Sequence, residues 1–233
     1  MDFDKRHVVI TGGTGALGSA VVGALLGNGA VCHVPTKSDA SARSFPHRSH
    51  PNVRLVTTGS LSDEAGVDKL YGGVPALWAS IHLAGGYAAS KITETDKTAL
   101  MQQIELNFVT CFLCCRAAVR TMTSNGAGGR IVNVAARPAI EPRSGAGSIA
   151  YAATKAGVAA LTEALAEEVA KEGILVNAVV PSIVDTPANR TAMPKAHFEN
   201  WPKVEEVAET IMFLASPENR VGRGGLVPVY GRS

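Results

Sequence analysis

Short runs that are apolar almost throughout alternate along the chain with longer stretches in which apolar residues recur at helical spacing. The short runs are HVVIT, VCHV, VRLVTT, ALWASIHLA, RIVNVAA, ILVNAVV and GLVPVY; the helical patterns cover about 16–28, 63–72, 96–124, 151–171 and 204–215. A strand with no polar face is a strand covered on both sides. The pattern therefore predicts an α/β fold, a doubly wound parallel sheet with helices on both faces and right-handed crossovers. Residues 36–52, 136–148 and 185–203 are rich in Pro, Gly, Ser or charge and read as loops. The last two follow the fifth and sixth strands, at the carboxyl edge where such sheets bind ligands. No repeat, low-complexity tract or linker divides the sequence, so one domain over 1–233 is expected.

Composition narrows the partners. Hydrophobic residues make up 46% and charged ones 18%, enough apolar content for a sizeable core. Lys and Arg (22) nearly cancel Asp and Glu (20), and a net charge of +2 gives no whole-protein field to gather nucleic acid or anionic membrane. The opening MDFDKRHVVITGG has two acids before any apolar run, and no stretch approaches the roughly 18 uncharged apolar residues of a spanning helix. A cytoplasmic protein is expected. Cys32, Cys111, Cys114 and Cys115 form no spaced disulfide framework, and the last three lack a fourth ligand for structural zinc, so they read as small buried residues. The absence of GxSxG and HExxH patterns argues against a hydrolase.

Two clusters carry chemistry. Gly12, Gly13, Thr14, Gly15, Ala16, Leu17 and Gly18 stand between the first strand and the first helix. Glycines there permit a tight turn and let a pyrophosphate approach peptide N–H groups at the positive end of a helix. A turn that binds nothing has the same composition; its position after the first strand of a doubly wound chain favours the phosphate. Later, YAATK puts Tyr151 and Lys155 at i, i+4, on one helix face a turn apart. A nearby ammonium favours the phenolate form of a tyrosine, so Lys155 is expected to lower the pKa of Tyr151.

In these residues the chain resembles the short-chain dehydrogenase/reductase family, whose turn reads TGxxxGxG where this one reads TGGTGALG, with Ala16 for the middle glycine. The resemblance implies a Rossmann-like sheet and a hydride passing between a nicotinamide and a carbonyl carbon, with Tyr151 giving its proton to the oxygen. Lys155 would hold the nicotinamide ribose, and Asn107, in LNFVTCFLCCRAA, matches the helix asparagine that supports a water relay to that lysine. An asparagine bonding its own helix is the alternative reading of Asn107. Where NADH users carry an acid after the second strand this chain has Thr36 and Lys37, which suit a 2′-phosphate and favour NADP(H) over NAD(H). Ser60 and Leu61 would meet adenine, and Ala84, Gly85 and Gly86 would keep the backbone clear of the riboses. Pro181, Ser182, Ile183 and Thr186 would meet the carboxamide and pyrophosphate. Met193, Phe198 and Trp201 would either line a lid or anchor it.

The family's strand end IVNVSS is here RIVNVAARP, so Ala135 and Ala136 leave no hydroxyl at the usual place. Ser144 and Ser148 lie in the loop that follows and read as solvated. Alanine in that place, with HLAGGYA and DTPANRTAMPKAHFENW, resembles the dihydropteridine reductase branch, which implies a small carbonyl or quinonoid substrate. A homodimer or homotetramer is expected by the same analogy. The rival reading is a catalytically impaired cofactor-binding regulator or scaffold on the same fold, motivated by Ala16, Ser60 and Ala136.

Overall fold

A computed structural model describes residues 1–233. The elements follow as β1 (His7–Thr11), α1 (Ala16–Gly27), β2 (Val31–Thr36), α2 (Asp39–Arg43), β3 (Val53–Thr57), α3 (Glu64–Gly72), β4 (Leu77–His82), α4 (Lys97–Gln103), α5 (Thr110–Asn125), β5 (Gly129–Val134), α6 (Arg137–Ile140), α7 (Ile149–Glu168), β6 (Ile174–Pro181), α8 (Pro187–Ala192), α9 (Val204–Ala215) and β7 (Leu226–Val229). All strands pair in parallel, in the order β3-β2-β1-β4-β5-β6-β7. The fold is the doubly wound sheet that the apolar runs predict.

Alternate strand residues enter opposite cores because side chains alternate across a sheet. Val9, Ile131, Val176, Ala178 and Val180 join α3, α5 and α7 on one face. Val8, Ile10, Val132 and Val179 join α1 and α9 on the other. The strand order reverses between β1 and β4, and the carboxyl ends of these two strands open the crevice where ligands bind in open α/β sheets. No helix is long and apolar enough to cross a membrane.

Four stretches differ from the expectation. The helix over 96–124 is interrupted by a widened π-type turn at Ile104–Val109. The loops at 36–52, 136–148 and 185–203 contain α2, α6 and α8, together with 3-10 turns at Pro142–Gly145 and Phe198–Asn200. Prolines stand in the first positions of α6, of the 3-10 turn after it and of α8. There proline loses no intrahelical hydrogen bond, so it starts helical turns while reading as a loop residue.

Candidate active site

The turn after β1 is shaped by close backbone contact. Gly12 has φ +69°, and a Cβ on it would come within 2.7 Å of the Ala84 nitrogen, while one on the buried Gly18 would run into the Gly12 carbonyl. Gly15 caps α1 with no side-chain hydrogen bond, which leaves the first-turn N–H groups to an external acceptor. In front of this turn lies a cavity of about 650 Å³ lined by Gly12, Thr14, Thr36, Lys37, Ser60, Leu61 and Ala84, among others. Gly15 and Ala16 are exposed and Leu17 is half-buried, and none of the three lines this cavity. Thr36 is buried at the end of β2, its hydroxyl 3.4 Å from that of Thr57, and Lys37 is exposed. An uncapped helix start, a glycine cradle and this hydroxyl and cation set fit a dinucleotide.

A second cavity, of about 360 Å³, lies at the ends of β5 and β6. Tyr151, Pro181, Ser182, Ile183 and Met193 line it, as do Tyr87, Ala136, Arg137, Ser144, Ser148 and Asn189. Tyr151 stacks edge-on against Tyr87, ring centroids 5.0 Å apart. Lys155 is buried one turn along α7; its Nζ donates to the Val134 carbonyl at 2.7 Å and stands 3.6 Å from where a Gly85 Cβ would sit. Asn107 in the π turn bonds both backbone groups of Gly86 and also reaches Gln103, so the helix-bonding alternative and a bridge to the β4 loop are both realised.

The expected lowering of the Tyr151 pKa is not what the geometry produces. Burial, with Tyr87 adding to it, pushes the phenol up to about 12. Burial also brings Lys155 down to about 8, against a smaller opposing pull from Cys111. The physical reason is that the Lys155 ammonium spends a hydrogen bond on Val134 and lies 5.9 Å from the Tyr151 ring centroid, while both groups are largely withdrawn from water.

Other residues fall out differently from the sequence reading. Thr186 lines neither cavity; its hydroxyl accepts from Asn189 N at 3.2 Å and caps α8. Ser148 is buried, not solvated, and its hydroxyl donates to the Gly145 carbonyl at 3.3 Å. Ser144 is exposed and bonds the Glu141 carbonyl. Met193 lines the second cavity, whereas Trp201 is buried and packs on Phe198, so the lid residues divide between lining and anchoring. Arg137 and Tyr87 were not singled out from sequence; the only signals were their places directly after Ala136 and Gly86.

Beneath the site, His82 from β4 joins Cys111 and Cys115 with ligand atoms within 4.8 Å of one another. The four cysteines are free and buried. Asn133 Oδ1 accepts from both thiols at 3.4 Å and lies 2.8 Å from His82 Nδ1, while Asn133 Nδ2 donates to Thr162. Hydrogen bonds thus tie these three side chains and Asn133 into a buried polar core.

The family model described as "short chain dehydrogenase" matches residues 6–197. The cis-4-hydroxycyclohexanecarboxylate dehydrogenase of Sinomonas cyclohexanicum is 32% identical, over 98% of this chain and 96% of the relative. The galactitol 2-dehydrogenase of Rhizobium johnstonii is 33% identical, over 97% and 94%. Among solved structures, ElxO with NADP bound superposes with a TM-score of 0.87 at 26% identity, covering 97% of this chain and 98% of that one. The crystal structure of gox2181, at 24% identity, shares the fold with a TM-score of 0.91 over 99% and 96%.

Proposed function

The chain belongs to the short-chain dehydrogenase/reductase family of NAD(P)-dependent oxidoreductases, and from that premise we propose that it reduces a small carbonyl or quinonoid substrate with NADPH. The observation that carries this reading is that Tyr151 lines the second cavity while Lys155, a turn along the same helix, is buried beside Gly85, in the loop whose Ala84 lies against Gly12 of the glycine turn. Bound NADPH would supply the hydride.

The chain's own residues then divide the work. Gly12, Thr14, Gly15, Ala16, Leu17 and Gly18 present the start of α1 to the pyrophosphate. Thr36 and Lys37 take the 2′-phosphate, where a carboxylate would repel it; an NADP-bound neighbour of the same fold supports that choice. Ser60 and Leu61 border the adenine. Ala84, Gly85 and Gly86, held open by Asn107, leave room for the riboses, and Lys155 binds the nicotinamide ribose hydroxyls. Pro181, Ser182 and Ile183 border the carboxamide, with Thr186 fixing the loop behind them.

Tyr151 donates the proton. A phenol held at about 12 is protonated at neutral pH, the state that donation to a carbonyl oxygen requires. No hydroxyl stands at Ala136, and Ser148, buried three residues before Tyr151, brings a hydroxyl to the lining of the same cavity. The test is NADPH oxidation by the native protein across a panel of ketones, quinones and pterins: turnover of at least one class is expected, and none across the panel would contradict the reading.

A further inference from the structure

The second cavity is lined by thirteen residues, and Arg137 is the only one of them with a charged side chain. Its guanidinium is fixed from outside the cavity. Nε donates to Glu141 Oε2 at 2.7 Å, and the carbon of the guanidinium lies 4.9 Å from the Tyr230 ring centroid; neither Glu141 nor Tyr230 lines the cavity. The hydrogen bonds of Arg137 end at Nε. Nη1 and Nη2 are left as an open pair of donors, held in place by a carboxylate that has taken the other edge of the plane.

We propose that this cavity selects carbonyl substrates that carry a carboxylate, and that the terminal nitrogens of Arg137 bind it. The inference rests on the reductase reading above and names its substrate class. A planar carboxylate matches two parallel N–H donors, and a guanidinium already oriented by Glu141 and Tyr230 loses little side-chain freedom on binding it. Arg137 also directly follows Ala136, the point where the chain lacks the usual hydroxyl. Substrate positioning thereby shifts from a hydroxyl at the reacting oxygen to an ion pair at the far end of the molecule, which holds the carbonyl toward Tyr151. Glu141 tempers the attraction without cancelling it: the pair is partly exposed, and Glu141 stands one turn along from Arg137, outside the lining.

The experiment compares a series of oxo acids with their methyl esters as substrates for NADPH oxidation, in the native protein and in Arg137→Gln and Arg137→Lys. The acids are expected to exceed the esters in kcat/KM by about 10- to 100-fold in the native protein. In Arg137→Gln that preference should collapse while the ester rate holds, and Arg137→Lys should restore part of it. Calorimetric binding of benzoate, a saturating acid without a reducible carbonyl, gives a reading independent of turnover: Arg137→Gln should weaken it at least about tenfold. Should no carbonyl compound turn over, the reductase reading fails while the benzoate titration still decides the anion site. Equal use of acids and esters, benzoate affinity unchanged by Arg137→Gln, or a loss of NADPH affinity in its place would overturn the proposal.

Discussion

Asn107 and Gly86 form a reciprocal pair: Asn107 Oδ1 accepts from Gly86 N at 2.9 Å and Asn107 Nδ2 donates to Gly86 O at 3.0 Å. The side chain stands in for a neighbouring strand, pairing a stretch of backbone that leaves β4 with no ladder partner of its own. The π turn aims it there, and the Thr110 hydroxyl bonds the Glu105 carbonyl within the widened turn.

Replacing Asn107 with Ala leaves both Gly86 groups unpaired in a partly buried position. A loss of about 1–3 kcal/mol in denaturant unfolding is expected, with NADPH affinity lowered because the Gly85–Gly86 backbone is released. Asn107→Asp keeps only the acceptor and should fall between Ala and the native protein.

Gly12→Ala puts a methyl against the Ala84 nitrogen at a positive φ. The strain and the clash together should cost about 2 kcal/mol or more and weaken NADPH binding, read by thermal unfolding and by titration of cofactor fluorescence. Gly15→Ala, whose Cβ would meet only the Gly12 carbonyl at 3.3 Å, should cost less stability.

The pH profile follows Lys155. Its ammonium is lost as pH rises through about 8, so kcat/KM for reduction should fall on the alkaline side with an apparent pKa near that value. Lys155→Arg, which keeps its charge, should flatten that limb at reduced rate. The same group affects folding with the opposite sense. Its folded pKa lies below the unfolded one, so between about 8 and the usual lysine value the unfolded chain binds more protons, and this group's contribution to stability rises with pH.

Ala136→Ser returns a hydroxyl to the cavity wall. Ala136 caps α6 in an extended conformation with no side-chain hydrogen bond, a position that serine accepts readily. Stability should hold or improve, and kcat/KM for unactivated ketones should rise about tenfold or more, in a steady-state assay against the native protein. No gain would mean that the cavity already polarises the carbonyl, with Ser148 the candidate tested next by Ser148→Ala.

Most of the fold was legible because most strands are largely apolar runs, and such runs have few other destinations. The π turn was not: in LNFVTCFLCC the apolar positions are too dense for a one-residue slip to change the period. The helical turns after β5 were hidden by Pro138 and Pro142, whose composition reads as loop while their positions start turns. The polar core of His82, Cys111, Cys115 and Asn133 needs three elements brought together by the sheet, which sequence spacing does not report. YAATK located Tyr151 and Lys155, yet their acidities depend on burial and on the Val134 carbonyl, and these were set by packing.

The most direct measurement is NADPH oxidation by Tyr151→Phe with the best substrate found for the native protein. Removing the hydroxyl should lower kcat by about 100- to 10,000-fold while NADPH still binds with near-native affinity. Turnover by Tyr151→Phe at close to the native rate would contradict the assignment of Tyr151 as the proton donor.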